Sequence, residues 1–222
     1  MNFYRYRKFL LFLFFLPIWV SCSFFPSVLR TSENEKVAGE LLFEDDFSQL
    51  DSGWRTWHDE VGSFVDYQNG GLRFFINRPQ TDYWSVQKRV YEDVRLEVEA
   101  LKINGPDNNQ FGLICRFQDN DNFYAFLVSS DGYYGILKVQ SGMYQLLNAD
   151  TFQYSDVIRQ GRAVNLLQAE CVGSGLALSV NGVTLSTVSD SDFEEGKIGL
   201  LAGAYDSAGV DVLFDQFKVY QP

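Results

Sequence analysis

Histidine is nearly missing from this 222-residue chain, with His58 the only one. A metal centre built from several histidines is therefore excluded. No Ser-His-Asp arrangement with a nucleophile elbow is present either, and His58, beside Trp54 and Trp57, reads as a loop packing residue. Basic residues are scarce: 18 Lys and Arg stand against 29 Asp and Glu, a net charge of −11. A surface of that sign repels phosphate backbones, so nucleic acid is not an expected partner. Cysteine is limited to Cys22, Cys115 and Cys171. There is one long apolar run, Phe9 to Val20, and its twelve residues fall short of the roughly 20 that a spanning helix needs. From Leu41 onward no convincing amphipathic helix can be found.

Around that single apolar run the order is basic, apolar, then small, which is the order of a secretory signal. Arg5, Arg7 and Lys8 precede it, and Ser21-Cys22 close it. The placement of Cys22 resembles the lipobox of bacterial lipoproteins, in which the chain is cut before the Cys and the thiol acylated. Ser21 fits that pattern, whereas Trp19 and Val20 depart from it. An ordinary cleaved signal and an uncleaved anchor remain as alternatives, and all three place the bulk of the chain outside the cytoplasm. Three of the 18 basic residues and no acidic one precede Cys22, so processing leaves a net charge near −14. The expected organisation is a signal peptide over 1–21, a tether over 22–40 and one β-sandwich domain over 41–222. Random-coil scaling gives the tether a reach of about 25 Å.

The domain has β texture throughout. Val94, Leu96, Val98 and Ala100 alternate with Arg95, Glu97 and Glu99, as on a strand with one buried face. Leu176, Leu178 and Val180 repeat the pattern, and Asn181-Gly182 supplies a two-residue hairpin signal. Further runs cover 71–77, 83–88, 111–117, 123–129, 133–140, 164–172, 197–203 and 210–220. Asn69-Gly70, Asp131-Gly132 and Ser141-Gly142 fall between them as turns. In the last run the apolar phase changes between Phe214 and Phe217, which predicts a bulge near Asp215 or burial of both faces. The fold class is all-β: an antiparallel two-sheet sandwich or jelly roll.

Three pieces carry a family resemblance: Phe43-Glu44-Asp45-Asp46-Phe47 with Ser52-Gly53-Trp54, then Gly112–Asp131, then Val180-Asn181-Gly182 through Phe214-Asp215-Gln216-Phe217. Together they resemble the concanavalin A-like lectin/glucanase superfamily, and within it the laminin-G-like and 3-keto-disaccharide-hydrolase-like domains of bacterial surface proteins. The resemblance spans about 41–219. It implies two curved antiparallel sheets with a concave, sugar-holding face, in a superfamily that mixes enzymes, lectins and domains of no known ligand. Similar domains often carry Cys at the places of Cys115 and Cys171. An even remainder of cysteines outside the cytoplasm also favours a disulfide between them, with two buried free thiols as the alternative.

Retaining glucanases of this superfamily carry three acids on one strand. Glu97 and Glu99 are the nearest approach here, but the third acid would fall at Lys102. These glutamates sit roughly 7 Å apart and are weak catalytic candidates, since the wet face of a strand accounts for them. No cofactor is expected, with a structural calcium ion as the alternative. Its weak candidate ligands are Asp45 or Asp46 with Asp215; the run Asp119-Asn120-Asp121-Asn122 lacks the Gly and Glu of an EF-hand and reads as a polar turn. For ligand binding the candidates are Trp84, Arg116, Tyr133, Tyr134 and Lys138, because sugar rings stack on aromatic faces while their hydroxyls bond charged and amide groups. The expected function is a tethered, non-catalytic carbohydrate-binding domain whose partner is a carbohydrate or cell-envelope glycan. A glycan or keto-disaccharide hydrolase or lyase is the alternative, and an envelope protein-interaction domain is the third reading.

Overall fold

The computed structural model describes residues 38–222. The expected signal peptide, the expected lipid attachment at Cys22 and most of the expected tether lie outside the described residues. Sixteen strands and no helix occur among the described residues. The first eight are β1 (Leu41–Asp45), β2 (Trp57–His58), β3 (Phe64–Gln68), β4 (Gly71–Ile76), β5 (Thr81–Tyr91), β6 (Val94–Asn104), β7 (Asn109–Asp119) and β8 (Asn122–Val128). The second eight are β9 (Tyr133–Gln140), β10 (Met143–Leu146), β11 (Gln153–Tyr154), β12 (Val164–Val172), β13 (Gly175–Val180), β14 (Val183–Ser189), β15 (Gly196–Ala204) and β16 (Val210–Tyr220).

These strands form two antiparallel sheets. The nine-stranded sheet runs β14-β13-β12-β6-β16-β4-β3-β2, with β1 added against β16; the seven-stranded sheet runs β10-β9-β8-β7-β15-β5, with β11 against β9. Alternation decides which side chains meet between them. Leu96, Val98 and Ala100 of β6, Leu167 and Ala169 of β12, and Phe214 and Phe217 of β16 face Leu113 of β7, Phe126 of β8 and Leu200 of β15 in one buried core. The Cys115–Cys171 disulfide joins β7 to β12 and so ties one sheet to the other. The expected irregularity in the last strand is present: the register of β16 against β6 shifts between Asp215 and Lys218, with Gln216 at φ +53°. That extra residue returns Phe217 and Val219 to the core side.

The seven-stranded sheet is apolar on its other face as well. There Ile114, Phe123, Ala125, Leu127, Val139 and Leu201 form a second buried layer, against which Trp84, Val86, Leu146 and Phe152 pack. The continuous apolar runs of β7 and β8 are explained by these two layers.

Candidate functional site

The site is organised by a loop that the sequence itself anchors. Asp45, at the end of β1, accepts hydrogen bonds from the Phe47 amide and from the Trp54 indole N–H, both at 2.8 Å. The bonded indole can then be buried, and it packs edge-on against Phe217 with centroids 4.9 Å apart. Gly53, at φ +108°, turns the chain beside Gln87, whose amide donates to the Ser52 carbonyl at 3.1 Å. Ser85 donates to the Arg55 carbonyl at 2.9 Å. With Trp54 pinned inward and the Arg55 backbone held on β5, the Arg55 side chain is left exposed, facing outward.

Two adjoining cavities open on the outer side of β5, and Arg55, Trp84 and Asn120 line both. The Trp84 indole donates to Asn120 Oδ1 at 3.2 Å, and its ring leans on Phe123, 5.5 Å away, which packs on Phe117 at the same distance. The larger cavity, about 570 Å³, adds Asp51, Lys88, Phe117 and Lys197 to its wall. The smaller, about 420 Å³, adds Trp57, Asp59, Asp82 and Tyr83. Both volumes fall in the range of small-molecule sites.

The two carboxylates of the smaller cavity differ in electrostatic setting. Burial alone would raise the Asp59 carboxyl, but hydrogen bonds from Ser63 (2.8 Å), Tyr83 (3.0 Å) and Val61 (3.0 Å) outweigh it and hold the group below the usual carboxylate range. Burial pushes the Asp82 carboxyl up, only partly offset by the Gln110 amide that donates to it. Gly203 makes this possible, because a Cβ there would lie 1.8 Å from Asp82 Oδ1. Tyr205 completes the group by donating to Gln110 Oε1 at 2.8 Å; burial first, then the charges of Asp82 and Asp131, push its phenol up to about 12. Opposed carboxyl settings of this kind are what acid–base chemistry requires.

Of the five residues expected to bind a ligand, only Trp84 lines these cavities. Arg116, a ligand-binding candidate in the sequence, is instead inside, 2% exposed. The strand phase breaks there: Arg116 has φ +50°, and the β7–β15 register shifts between Lys197 and Gly199. Its guanidinium donates to the carbonyls of Phe193 (2.9 Å) and Glu92 (3.3 Å) and to Asp93 (3.3 Å). Lys138 is 7% exposed and bonds Asp190 (2.7 Å) and Asp192 (2.6 Å). Tyr134 donates to the Leu185 carbonyl at 3.1 Å, bridging the sheets. Tyr133, 42% exposed, meets Tyr154 edge-on at 5.7 Å and lines a separate cavity with Asp131, Phe152 and Tyr205.

The remaining candidates are dispersed. Glu97 accepts from Gln168 at 3.0 Å and lies 3.5 Å from Arg95, while Glu99 is exposed on the same outward face of the nine-stranded sheet. Asp46 accepts from the Ser48 amide (3.0 Å) and Asp215 from the Gln216 amide (2.7 Å). Asp119 accepts from the Asp121 amide and the Asn122 side chain, both at 2.8 Å, as a polar turn does. Among the described residues no group of three or more His, Cys, Asp or Glu is placed to share a metal ion. His58 pairs with Asp66 at 3.0 Å and stacks on Phe64. Sequence reasoning missed Arg55, Trp57, Asp59, Asp82, Lys88 and Lys197; the one signal pointing to them was the density of tryptophan around Trp54.

No protein-family model matches this sequence, and no curated protein does. Solved structures do match. The carbohydrate-binding module CBM66 from Bacillus subtilis superposes with a TM-score of 0.61 at 17% identity, covering 76% of this chain and 95% of that one. The fold is concanavalin A-like. A protein of unknown function with a galectin-like fold, also from Bacillus subtilis, gives 0.58 at 14% identity over 83% of this chain and 97% of its own. The GH43 protein BlXynB from Bacillus licheniformis gives 0.59 at 14% identity over 81% of this chain, which spans 39% of that longer one. At these identities the likeness establishes the shared concanavalin A-like sandwich.

Proposed function

We propose that this concanavalin A-like domain binds carbohydrate in the paired cavities on the outer side of β5, without chemistry of its own. The observation that carries the reading is Trp84, an indole that lines both cavities between the hydrogen-bonding groups of Arg55 and Asn120. A pyranose ring laid on the indole buries its C–H face, while its hydroxyls meet the guanidinium, the amide and the Asp82 carboxyl at the edges. The sandwich shared with CBM66 supports this reading. Trp84→Ala is expected to weaken glycan binding by at least about 30-fold, the scale of a hot-spot aromatic. A glycan array followed by titration of tryptophan fluorescence measures it. Unchanged affinity in the variant would remove the site.

The same reading places the domain outside the cytoplasm, on a tether acylated at Cys22. The Cys115–Cys171 disulfide supports an oxidising compartment. Palmitate labelling of the parent chain, lost in Cys22→Ser, is the expected result; equal labelling of the two chains refutes the anchor.

A second reading, glycan hydrolysis, has one observation in its favour: Asp59 held low and Asp82 pushed high across one tryptophan-lined cavity. On that reading Asp82 would serve as acid and Asp59 as base. On this reading reducing sugar is released from a bound glycan and Asp82→Asn abolishes the release. Binding with no release in the parent protein leaves the lectin reading alone.

A further inference from the structure

We infer that the larger cavity is a subsite for an anionic sugar residue, one carrying a carboxylate or sulfate, beside a neutral subsite at Trp57 and Asp82. This rests on the carbohydrate-binding reading and names its ligand class. Several cations elsewhere in the domain are ion-paired: Arg73 with Asp211, Arg95 with Glu97, Lys102 with Asp107, Arg116 with Asp93, and Lys138 with Asp190 and Asp192. Among the cations without an ion-pair partner, Arg55, Lys88 and Lys197 stand together. None of the three makes a side-chain hydrogen bond or ion pair among the described residues, and all three line one cavity, against the single carboxylate of Asp51.

On a chain of net charge −11, unpaired cations gathered in one place need an explanation. Chain sequence alone does not bring them together. Arg55 arrives through the pinned loop, Lys88 from the outer side of β5, and Lys197 from β15 beside Phe117. A guanidinium fork matches a carboxylate or sulfate in two-pronged geometry, and two ammonium groups add charge that an anionic substituent can approach from the Trp84 face. The neighbouring cavity shares Arg55 but has no lysine, and it adds Asp59, Asp82 and Tyr83 beside Trp57. Carboxylates repel a second anion there and accept hydrogen bonds from neutral hydroxyls. A bound glycan is therefore oriented, its charged residue on the Lys88–Lys197 side of Trp84 and an uncharged one on the Asp82 side.

The test uses the full-length protein in detergent, titrated with oligosaccharides of galacturonic and glucuronic type. Each is paired with its carboxyl-reduced, neutral form, and a sulfated neutral oligosaccharide is added as a third arm. The expected result is at least a tenfold preference for an acidic form over its neutral counterpart, weakened by added salt. Lys88→Gln with Lys197→Gln is expected to cut the preference to less than about twofold, read as the ratio of acidic-form to neutral-form affinity within the same variant. Preference confined to the uronate arm, or to the sulfate arm, identifies the substituent. Equal binding of charged and neutral forms, or binding of neutral forms alone, overturns the anionic subsite but leaves the carbohydrate reading standing. Failure to bind any glycan overturns both.

Discussion

Replacing Cys115 and Cys171 together with alanine is expected to lower the unfolding free energy by about 4 kcal/mol. The bridge closes a loop across a sequence separation of 56, and cross-linking a loop of that length removes this much conformational freedom from the unfolded chain. It also links β7 of one sheet to β12 of the other, so the two layers lose their covalent tie as well as their unfolded-state constraint. In a domain of this size about 4 kcal/mol corresponds to a melting temperature lower by roughly 8–16 °C. Scanning calorimetry of the parent and double variant decides it, and a midpoint within 2 °C of the parent would show that packing alone holds the sheets. Neither cysteine lines the two cavities, so a folded double variant is expected to keep its glycan affinity.

Lys138→Met carries the second large effect, about 3 kcal/mol of lost stability, because it strips the partner from carboxylates held at the sandwich. Lys138 bonds Asp190 and Asp192, and Tyr124 donates to the same Asp190 while accepting from the Phe193 amide at 3.2 Å. Burial by itself would lower the Lys138 ammonium and raise the Asp190 carboxyl, but the hydrogen bonds between them win in both cases. The signs follow. Asp190 ends below its unfolded value, so its contribution is complete above the ordinary carboxylate range of about 4 and is lost as pH falls through the lower folded value. Lys138 ends above its unfolded value, so its contribution is complete below about pH 10 and is lost as pH rises through the higher folded value. Urea unfolding at pH 7 and at pH 3 tests the loss and its acid limb: the gap between parent and Lys138→Met narrows at the acid pH. Adding Asp190→Asn is expected to cost less than the sum of the single changes, since the two groups act as one unit. Strict additivity would dissolve the network.

Strand by strand, the alternation of apolar residues was enough to place most of the sheets. The runs over 133–140, 164–172 and 210–220 match β9, β12 and β16 at both ends, and the expected interruption near Asp215 lies where the register shifts. What escaped were short or exposed strands such as β2, β10 and β14, whose positions are set by pairing with a neighbour rather than by their own pattern. The site was far less legible. Arg116 and Lys138 look like surface cations in sequence, yet a bulge turns the first inward and paired aspartates from a later loop draw in the second.

Period-two hydrophobicity, glycine-bearing turns and the scarcity of helix-forming segments determined by themselves that this chain forms two antiparallel sheets. That information is local, because a strand's inward and outward faces follow from neighbours two residues apart. The tertiary structure alone decided the meeting of Arg55, Trp84, Lys88 and Lys197, together with Asp82, around one pair of cavities. Those contacts depend on register shifts and on a loop anchored through Asp45 and Trp54. A one-residue slip exchanges the two faces of a strand, so no count along the chain could have assembled that group.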